Sequence, residues 1–560
     1  MNRVLKQIGR SLLWLLGSVI VLLLGALCWV WIGAATADMK PPQLAFDPAD
    51  YPLSVARDSL RVCRENILLR NRYGLWEARI AGDAETRGAA MGAMSRDLLR
   101  DQEEAFVAQL RRFVPSERRL KLLHRLTLFF NRRLADHIPE EYRREIAALS
   151  AFCSHDFDAF GTPYERQLNY HAAHDIGHAM QKYMLVGCSS FALRNGASAD
   201  SALLVGRNFD FYMGDDFARR KLVSFVTPDR GYRYASVGWP GMTGVLSGMN
   251  ERGLTVTLNA AQGPIPFRSA MPVSLLARHI LQYAATADEA CRIADTCRLF
   301  VSESLLVTEA AGRRAIVIEK RPDRQAVFAP AGDRLICTNH YQSAELADDP
   351  DNRQNIAESD SYPRYRRLEE LLDRSGPLTP EGAVAVLRDR RGTGDREIGL
   401  GNELSIDQSL AHHSVVFQPE QRLMWVSTDP WQEGAYLCYD LRRVFALREA
   451  APGEGFSDPE RTIAADTLFL RDDYPRLLAY RRRAEQVRRA IADGERLAPG
   501  YADSLTVENP DLYAAHELLG DYRRRQGERD GALRAWRAAL DREIPRKEQR
   551  DEIERKISTL

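Results

Sequence analysis

The run Gly187-Cys188-Ser189-Ser190-Phe191-Ala192-Leu193 sets a thiol at the head of an apolar segment. A second apolar segment, residues 202–206, leads into Arg207-Asn208-Phe209-Asp210-Phe211. Both read as buried strands, and the second delivers an Arg and an Asp three residues apart. A thiol is a strong nucleophile once deprotonated, and a nearby guanidinium favours the thiolate. An Asp on the same edge can hold an amine, or hold the Arg in place. Further along, Thr255-Val256-Thr257-Leu258-Asn259 and the run ending Thr338-Asn339-His340 each put an Asn at the end of a strand-like segment. The side-chain N–H of such an Asn can donate to a developing oxyanion. The plainer alternative makes Cys188 a small core residue beside a surface Arg–Asp pair, and Asn339 a turn cap.

These elements occur in a definite order, and the order resembles a family. Cys-Ser-Ser-Phe followed by Gly-Arg-Asn-Phe-Asp resembles the N-terminal-nucleophile (Ntn) amide hydrolases and acyltransferases. The resemblance is strongest to the acyl-coenzyme A:6-aminopenicillanic acid acyltransferase branch, with choloylglycine hydrolases and acid-ceramidase-like amidases more distant. It begins at the strand-like Gly74–Gly82 stretch and the small-residue helix after it, where Gly88, Ala89 and Gly92 allow close helix packing. It continues through Gly248-Met249-Asn250-Glu251-Arg252-Gly253-Leu254 to Asn259, then Thr338-Asn339-His340, then the Ser-x-x-Arg helix start Ser361-Tyr362-Pro363-Arg364. One departure stands out: a later Arg used by penicillin-type acyltransferases has no clear counterpart, and Asp407-Gln408-Ser409-Leu410 occupies that region.

The resemblance implies an α+β fold, the four-layer αββα Ntn sandwich. It also implies a mechanism. An Ntn nucleophile must be the first residue of its chain, because its own α-amine, which ordinarily titrates at about pH 8, is the base. Cys188 is internal, so it would first attack the Gly187 carbonyl and release the peptide through a thioester; Gly187 suits a strained backbone there. In the mature cycle Cys188 attacks an amide or thioester carbonyl, and Asn339, with Asn259 or a main-chain N–H, holds the oxyanion. Arg207 favours the thiolate and Asp210 orients the amine. His340 and Arg364 are candidates for substrate contacts. No metal or organic cofactor is required, and the implied partner is a small acyl amide or acyl thioester.

Composition fits an enzyme of several parts. The 560 residues are 45% hydrophobic, and 77 basic side chains balance 77 acidic ones, so nothing points to nucleic acid. Eight scattered cysteines without a CxxC pair argue against a disulfide scaffold or zinc ribbon. Residues 1–40 read as a membrane anchor. Arg3, Lys6 and Arg10 precede an apolar run of about 21 residues, which predicts a single pass with a cytoplasmic N-terminus and an extracytoplasmic, bacterial-periplasmic remainder. Cleavage after Ala35-Thr36-Ala37 is the competing reading.

Residues 41–187 read as a mainly helical leader, with a basic amphipathic helix near residues 120–133. Residues 188–450 read as the catalytic domain, and residues 451–560 as a helical tail. In that tail Gly520, Gly527, Ala532, Trp536 and Ala539 follow the tetratricopeptide (TPR) spacing, and a protein partner is one use for it. His171, His174 and His178 share a helical face, so a metalloenzyme stands as a rival reading. A catalytically silent Ntn-fold scaffold is another.

Overall fold

A computed structural model describes parts of residues 14–34, and residues 39–57, 59–172, 186–264, 269–447 and 455–560. Its centre is a pair of large sheets. One has eleven strands in the order β1 (Ser54–Arg57), β2 (Leu60–Cys63), β3 (Asn66–Arg70), β4 (Trp76–Gly82), β7 (Leu222–Pro228), β8 (Tyr234–Gly238), β9 (Ser247–Asn250), β10 (Leu254–Ala260), β11 (Glu303–Glu309), β12 (Arg314–Lys320) and β13 (Gln325–Phe328). The other has seven, in the order β14 (Arg334–Cys337), β5 (Val186–Leu193), β6 (Leu204–Phe211), β15 (His413–Gln418), β16 (Leu423–Ser427), β17 (Tyr436–Asp440) and β18 (Asp458–Ile463).

The sheets meet through alternating apolar residues. Val205, Val415, Phe417 and Leu437 from the smaller sheet share a core with Val223, Phe225, Val237 and Val317 from the larger one. Such a period-2 stripe buries one face of each strand. The opposite face of the larger sheet, including Val256, Leu258 and Val307, is covered by Tyr142 and Ile146 and by Leu275, Leu276 and Ile280 of the helix Val273–Tyr283. The opposite face of the smaller sheet is covered by Leu368, Leu371 and Leu372 of the helix Ser361–Arg374 and by Val384 and Leu387. The result is a mixed α/β fold built on two large sheets.

The leader region contributes more strand than its sequence pattern suggests. β1–β4 form antiparallel pairs, and β4 joins β7 in parallel, Trp76 opposite Leu222 and Ile80 opposite Val226. The helix Ala84–Phe113 then packs on the helix Glu140–Ser150 at the small residues. A Cβ on Gly88 would collide with the Glu145 carbonyl oxygen, so only glycine fits that crossing. Beside it Glu145 bridges Arg87 at 2.7 Å and Arg278 at 2.6 Å, all three buried. This triad ties the leader helices to the helix Val273–Tyr283.

The membrane expectation is corrected, and the single-pass placement that rests on it. Among the described residues no helix is long and apolar enough to cross a membrane. Much of residues 1–38, including the Ala35-Thr36-Ala37 site, lies outside the described residues. Within the described part of the apolar run, Trp29 and Trp31 find a protein partner in the helix Glu117–Asn131. Trp29 meets Phe129 edge-on at 4.6 Å, and the Arg125 and Arg132 guanidiniums lie 3.8 and 5.5 Å from the Trp31 and Trp29 ring centroids. These contacts use basic residues of that amphipathic segment as cation–π partners.

Beyond the sheets, the helices Thr467–Asp493, Tyr513–Arg525, Arg529–Leu540 and Lys547–Ser558 form a further apolar cluster. Gly520 lies against Trp536, where a Cβ would collide with the indole. The cluster docks on the sheet region: Asn509 exchanges both hydrogen bonds with Leu400, at 3.0 and 2.9 Å, and Arg481 donates to the Ser409 carbonyl at 2.7 Å.

Candidate functional site: the Cys188 centre

β5 and β6 pair antiparallel without a bulge, which sets Gly187 opposite Asp210, Cys188 opposite Phe209 and Ser190 opposite Arg207. On its other edge β5 pairs with β14, Ser190 opposite Cys337. Thr338 and Asn339 therefore continue beside Ser189 and Cys188. The sequence-predicted residues meet here because three strands share one register.

Cys188 is fully buried. Its main-chain N–H donates to Oδ1 of Asn339 at 3.0 Å, and its carbonyl accepts from Nη1 of Arg364 at 2.7 Å. Arg364 also reaches Oγ of Ser189 at 3.0 Å and Oδ1 of Asn339 at 2.7 Å. The peptide unit at the nucleophile is thus held on both sides by one Asn–Arg pair. Burial pushes the Cys188 thiol up to about 11, with Arg207 and Arg364 pulling the other way.

Nη2 of Arg207 lies 3.7 Å from the Cys188 sulfur and also donates to the Leu258 carbonyl. Its Nη1 donates to Oγ of Ser247 at 2.5 Å and meets Nε2 of His413 at 3.2 Å, while Phe209 lies under the guanidinium at 4.4 Å. Arginine is always a donor, so Nε2 of His413 is the acceptor. Its Nδ1 then carries the proton and donates to Nδ1 of His412 at 3.0 Å. Burial lowers both imidazoles well below the usual histidine range, and they are neutral. Arg207 is clamped by acceptors and cannot swing away from the thiol.

Asp210 is buried, and neither carboxyl oxygen has a hydrogen-bond partner among the described residues. Burial raises its carboxyl well above the usual range; Arg364 and Arg207 act against this, Asp407 and Asp360 with it.

Residues 197–430 match the acyl-coenzyme A:6-aminopenicillanic acid acyl-transferase family.

The acyl-transferase match takes in Arg207, Asp210, Asn259, Asn339 and Arg364, and starts after Gly187–Cys188. A relative from Archaeoglobus fulgidus, itself an uncharacterised protein, is 28% identical over 220 residues, 35% of this chain and 36% of its own length. The chain therefore spans about a third of that relative. Among solved structures, the Caenorhabditis elegans ortholog of N-acylethanolamine-hydrolyzing acid amidase aligns at 19% identity, covering 42% of this chain and 93% of its own, with a TM-score of 0.31. A mutant of conjugated bile acid hydrolase from Clostridium perfringens aligns at 12%, covering 46% and 92%, also at 0.31. Penicillin V acylase from Agrobacterium tumefaciens aligns at 14%, covering 46% and 87%, again at 0.31. Scores at this level carry no residue roles across.

Within the acyl-transferase match, two Asn residues are placed differently. Nδ2 of Asn339 donates to the Ala260 carbonyl at 2.8 Å, which leaves its second proton and turns Oδ1 to Cys188. Asn259 spends both Nδ2 protons on the carbonyls of Cys337 and Thr338, at 2.9 and 3.0 Å. It fixes the strand end that carries Asn339. Nδ1 of His340 meets Oγ of Ser361 at 2.8 Å and Oγ1 of Thr338 at 3.1 Å, with Tyr362 and Tyr365 edge-on to the ring. Burial, with Arg364 nearby, lowers the imidazole to about 4.

Of the metal-spacing histidines, His174 and His178 lie outside the described residues. His171 is buried, with Nε2 accepting from the Thr243 N–H at 2.9 Å and Nδ1 donating to the Gln167 carbonyl at 2.7 Å. Both its nitrogens are occupied.

Sequence reading missed several neighbours of the centre. Gln408 is buried beside Gly187, where a Cβ would come within 2.7 Å of its Nε2. Ser247, His413 and Asp360 hold the two arginines. The His412-His413 pair at the start of β15 was a signal in the sequence, two titratable side chains leading into an apolar strand. A stack of Phe209, Phe211 and Trp239, with centroids 5.6 and 6.0 Å apart, runs from Cys188 toward a narrow cleft lined by Phe106, Phe217 and Met242.

Proposed function

We propose that this chain is a cysteine Ntn amidase or acyltransferase that matures by cutting its own Gly187–Cys188 bond. The observation that carries this reading is the pairing of Cys188 with an Asn–Arg clamp on its peptide and a buried carboxyl, Asp210, opposite Gly187, that has no hydrogen-bond partner among the described residues.

In the intact chain the Cys188 nitrogen is an amide and cannot act as a base. The thiol, near 11, is almost wholly protonated at pH 7. Cys188 sulfur attacks the Gly187 carbonyl carbon, the C–N bond breaks as the nitrogen takes up the thiol proton, and a thioester forms. Water attacks the thioester and leaves a Gly187 carboxylate and a free Cys188 α-amine. In this reading the freed amine pairs with Asp210, whose carboxyl has no hydrogen-bond partner among the described residues.

In the mature cycle the amine takes the thiol proton, and the thiolate beside Arg207 attacks an amide or thioester carbonyl. The Nδ2 proton of Asn339 that finds no acceptor among the described residues is the side-chain donor for the oxyanion. The amine then returns the proton to the leaving group, and water or a second amine resolves the acyl-enzyme. The Phe209–Phe211–Trp239 stack favours a lipophilic acyl group. The two sheets with outer helices fit the αββα arrangement, and the strands β1–β4 paired to β7 would keep the two fragments together. The Tyr513–Arg525 and Arg529–Leu540 pair, with Gly520 against Trp536, supports a TPR-like tail.

The test is acyl-enzyme capture. Purified protein is quenched in acid during turnover of N-acyl amides, and its peptides are weighed. The reading requires the acyl mass on the Cys188 peptide. An acyl group on another residue, or none while amide is being cleaved, overturns it.

A further inference from the structure

The C-terminal helices reach the Cys188 centre through one chain of charged contacts. Arg546, directly ahead of the helix Lys547–Ser558, places Nε 3.3 Å from Oδ1 of Asp360. The other oxygen of Asp360 lies 3.3 Å from Nη2 of Arg364. That same Nη2 donates to Oδ1 of Asn339, while Nη1 holds the Cys188 carbonyl and Ser189 Oγ. Asp360 and Arg364 are both buried.

A buried carboxylate needs its charge matched. Burial alone would raise the Asp360 carboxyl, yet Arg546, followed by Arg364, holds it below the usual range. Without Arg546, Arg364 faces Asp360 alone. Either the carboxyl protonates and releases Arg364, or Arg364 is drawn further onto it. In both cases the fork on Cys188 and Asn339 loses its fixed position. Nearby contacts keep Arg546 in place: Asn402 donates to the Glu543 carbonyl at 3.0 Å, and Gln549 reaches the buried Glu403 at 3.5 Å.

We propose that Arg546 is a positioning residue of the Cys188 centre, acting through Asp360 to fix Arg364. The helical tail is then part of the active enzyme and not only a docking module. Arg546 lies beyond the matched residues 197–430, so this contact comes from outside the family region. The inference rests on the function proposed above.

The experiment compares wild type with Arg546→Met, Arg546→Lys, Asp360→Asn and the Arg546→Met/Asp360→Asn pair, all as full chains checked by circular dichroism and gel filtration. Two rates are read: appearance of the fragment beginning at Cys188, and kcat and KM on an N-acyl amide cleaved by wild type. Arg546→Met lowers kcat about 10-fold or more with KM changed less than about threefold, because a misplaced clamp acts on the transition state. Arg546→Lys recovers part of the loss, and the pair loses no more than its worse member. Equal kcat in wild type and a folded Arg546→Met, no recovery with Arg546→Lys, or losses that multiply in the pair overturn the inference and leave the proposed function standing. If Arg546→Met does not fold, Arg546→Lys against Asp360→Asn decides by the same kcat and KM readings. A wild type that neither cuts itself nor turns over any amide removes the proposed function, and the inference with it.

Discussion

Asp210 is the register partner of Gly187 across the β5–β6 ladder, and its buried carboxyl makes no hydrogen bond among the described residues. In a folded protein an unpaired buried carboxyl is a cost, and here the cost sits opposite the bond proposed to break. Its carboxyl is raised in the folded chain, so the folded state holds a proton that the unfolded state, near 3.9, releases. The stability this group contributes is full below about pH 3.9 and is lost as pH rises toward the folded value. In the uncleavable Cys188→Ala background, Asp210→Asn removes that loss. The melting temperature of Asp210→Asn relative to its parent should therefore climb between pH 4 and 7. A flat or falling difference would contradict the assignment. In the otherwise native chain the same substitution should lower kcat by about 100-fold, through loss of the group that orients the amine.

A side chain on Gly187 would have to displace the amide end of Gln408. A Cβ would sit 2.7 Å from Nε2 of Gln408, which is itself buried. Gly187→Ala should slow the appearance of the Cys188 fragment by about 10-fold or more, the cost of overpacking being about 1–3 kcal/mol. Adding Gln408→Ala should restore much of the rate by opening the space. Intact mass followed over hours reads both, and an unchanged rate in Gly187→Ala would count against close packing at this bond.

Arg207 is the strongest influence lowering the Cys188 thiol against burial. Arg207→Lys keeps one charge but cannot reach Leu258, Ser247 and Cys188 together. Its kcat/KM should fall about 10- to 100-fold, as expected where a planar fork is replaced by a point charge. The pH profile of Cys188 alkylation in the processed protein should move to higher pH. A profile unchanged from wild type would mean that Arg207 does not set the thiolate.

The Arg87–Glu145–Arg278 triad predicts how the fragments part. Burial alone would raise Glu145, but Arg278 and then Arg87 hold it below the usual range. A depressed carboxyl contributes stability that is present above its unfolded value and lost as pH falls through the folded one. Processed fragments should co-elute at pH 7 and separate in acid. Arg278→Met, which leaves Glu145 with one buried cation, should weaken their association by about 3–5 kcal/mol. Gel filtration across pH measures this, and fragments that stay together equally in wild type and variant would contradict it.

Much of the centre was legible because its parts are local. Cys188 and the Arg207–Asp210 pair sit on neighbouring strands eight residues long, so their alternation and small-residue heads could be read directly. Asn339 was legible through the strand that ends just before it. What escaped depends on distant segments: the parallel β4–β7 pairing, Gln408 beside Gly187, and Arg546 on Asp360. No periodicity marks a residue whose partner is fixed only by how layers stack. The early apolar run reads as a span from composition alone, which does not register that Trp29 and Trp31 have Phe129, Arg125 and Arg132 to pack on. Asn259 reads as an oxyanion donor for the same reason. Its type and strand-end position are visible in the sequence, but not the two carbonyls that use its protons.

The most direct test is N-terminal sequencing and intact mass of purified wild type beside Cys188→Ala. The account predicts a wild-type fragment beginning Cys188-Ser189-Ser190 that co-purifies with the piece ending at Gly187, and a mutant that stays whole. A folded wild type that remains uncut while hydrolysing amides would contradict it, because the α-amine base would then not exist.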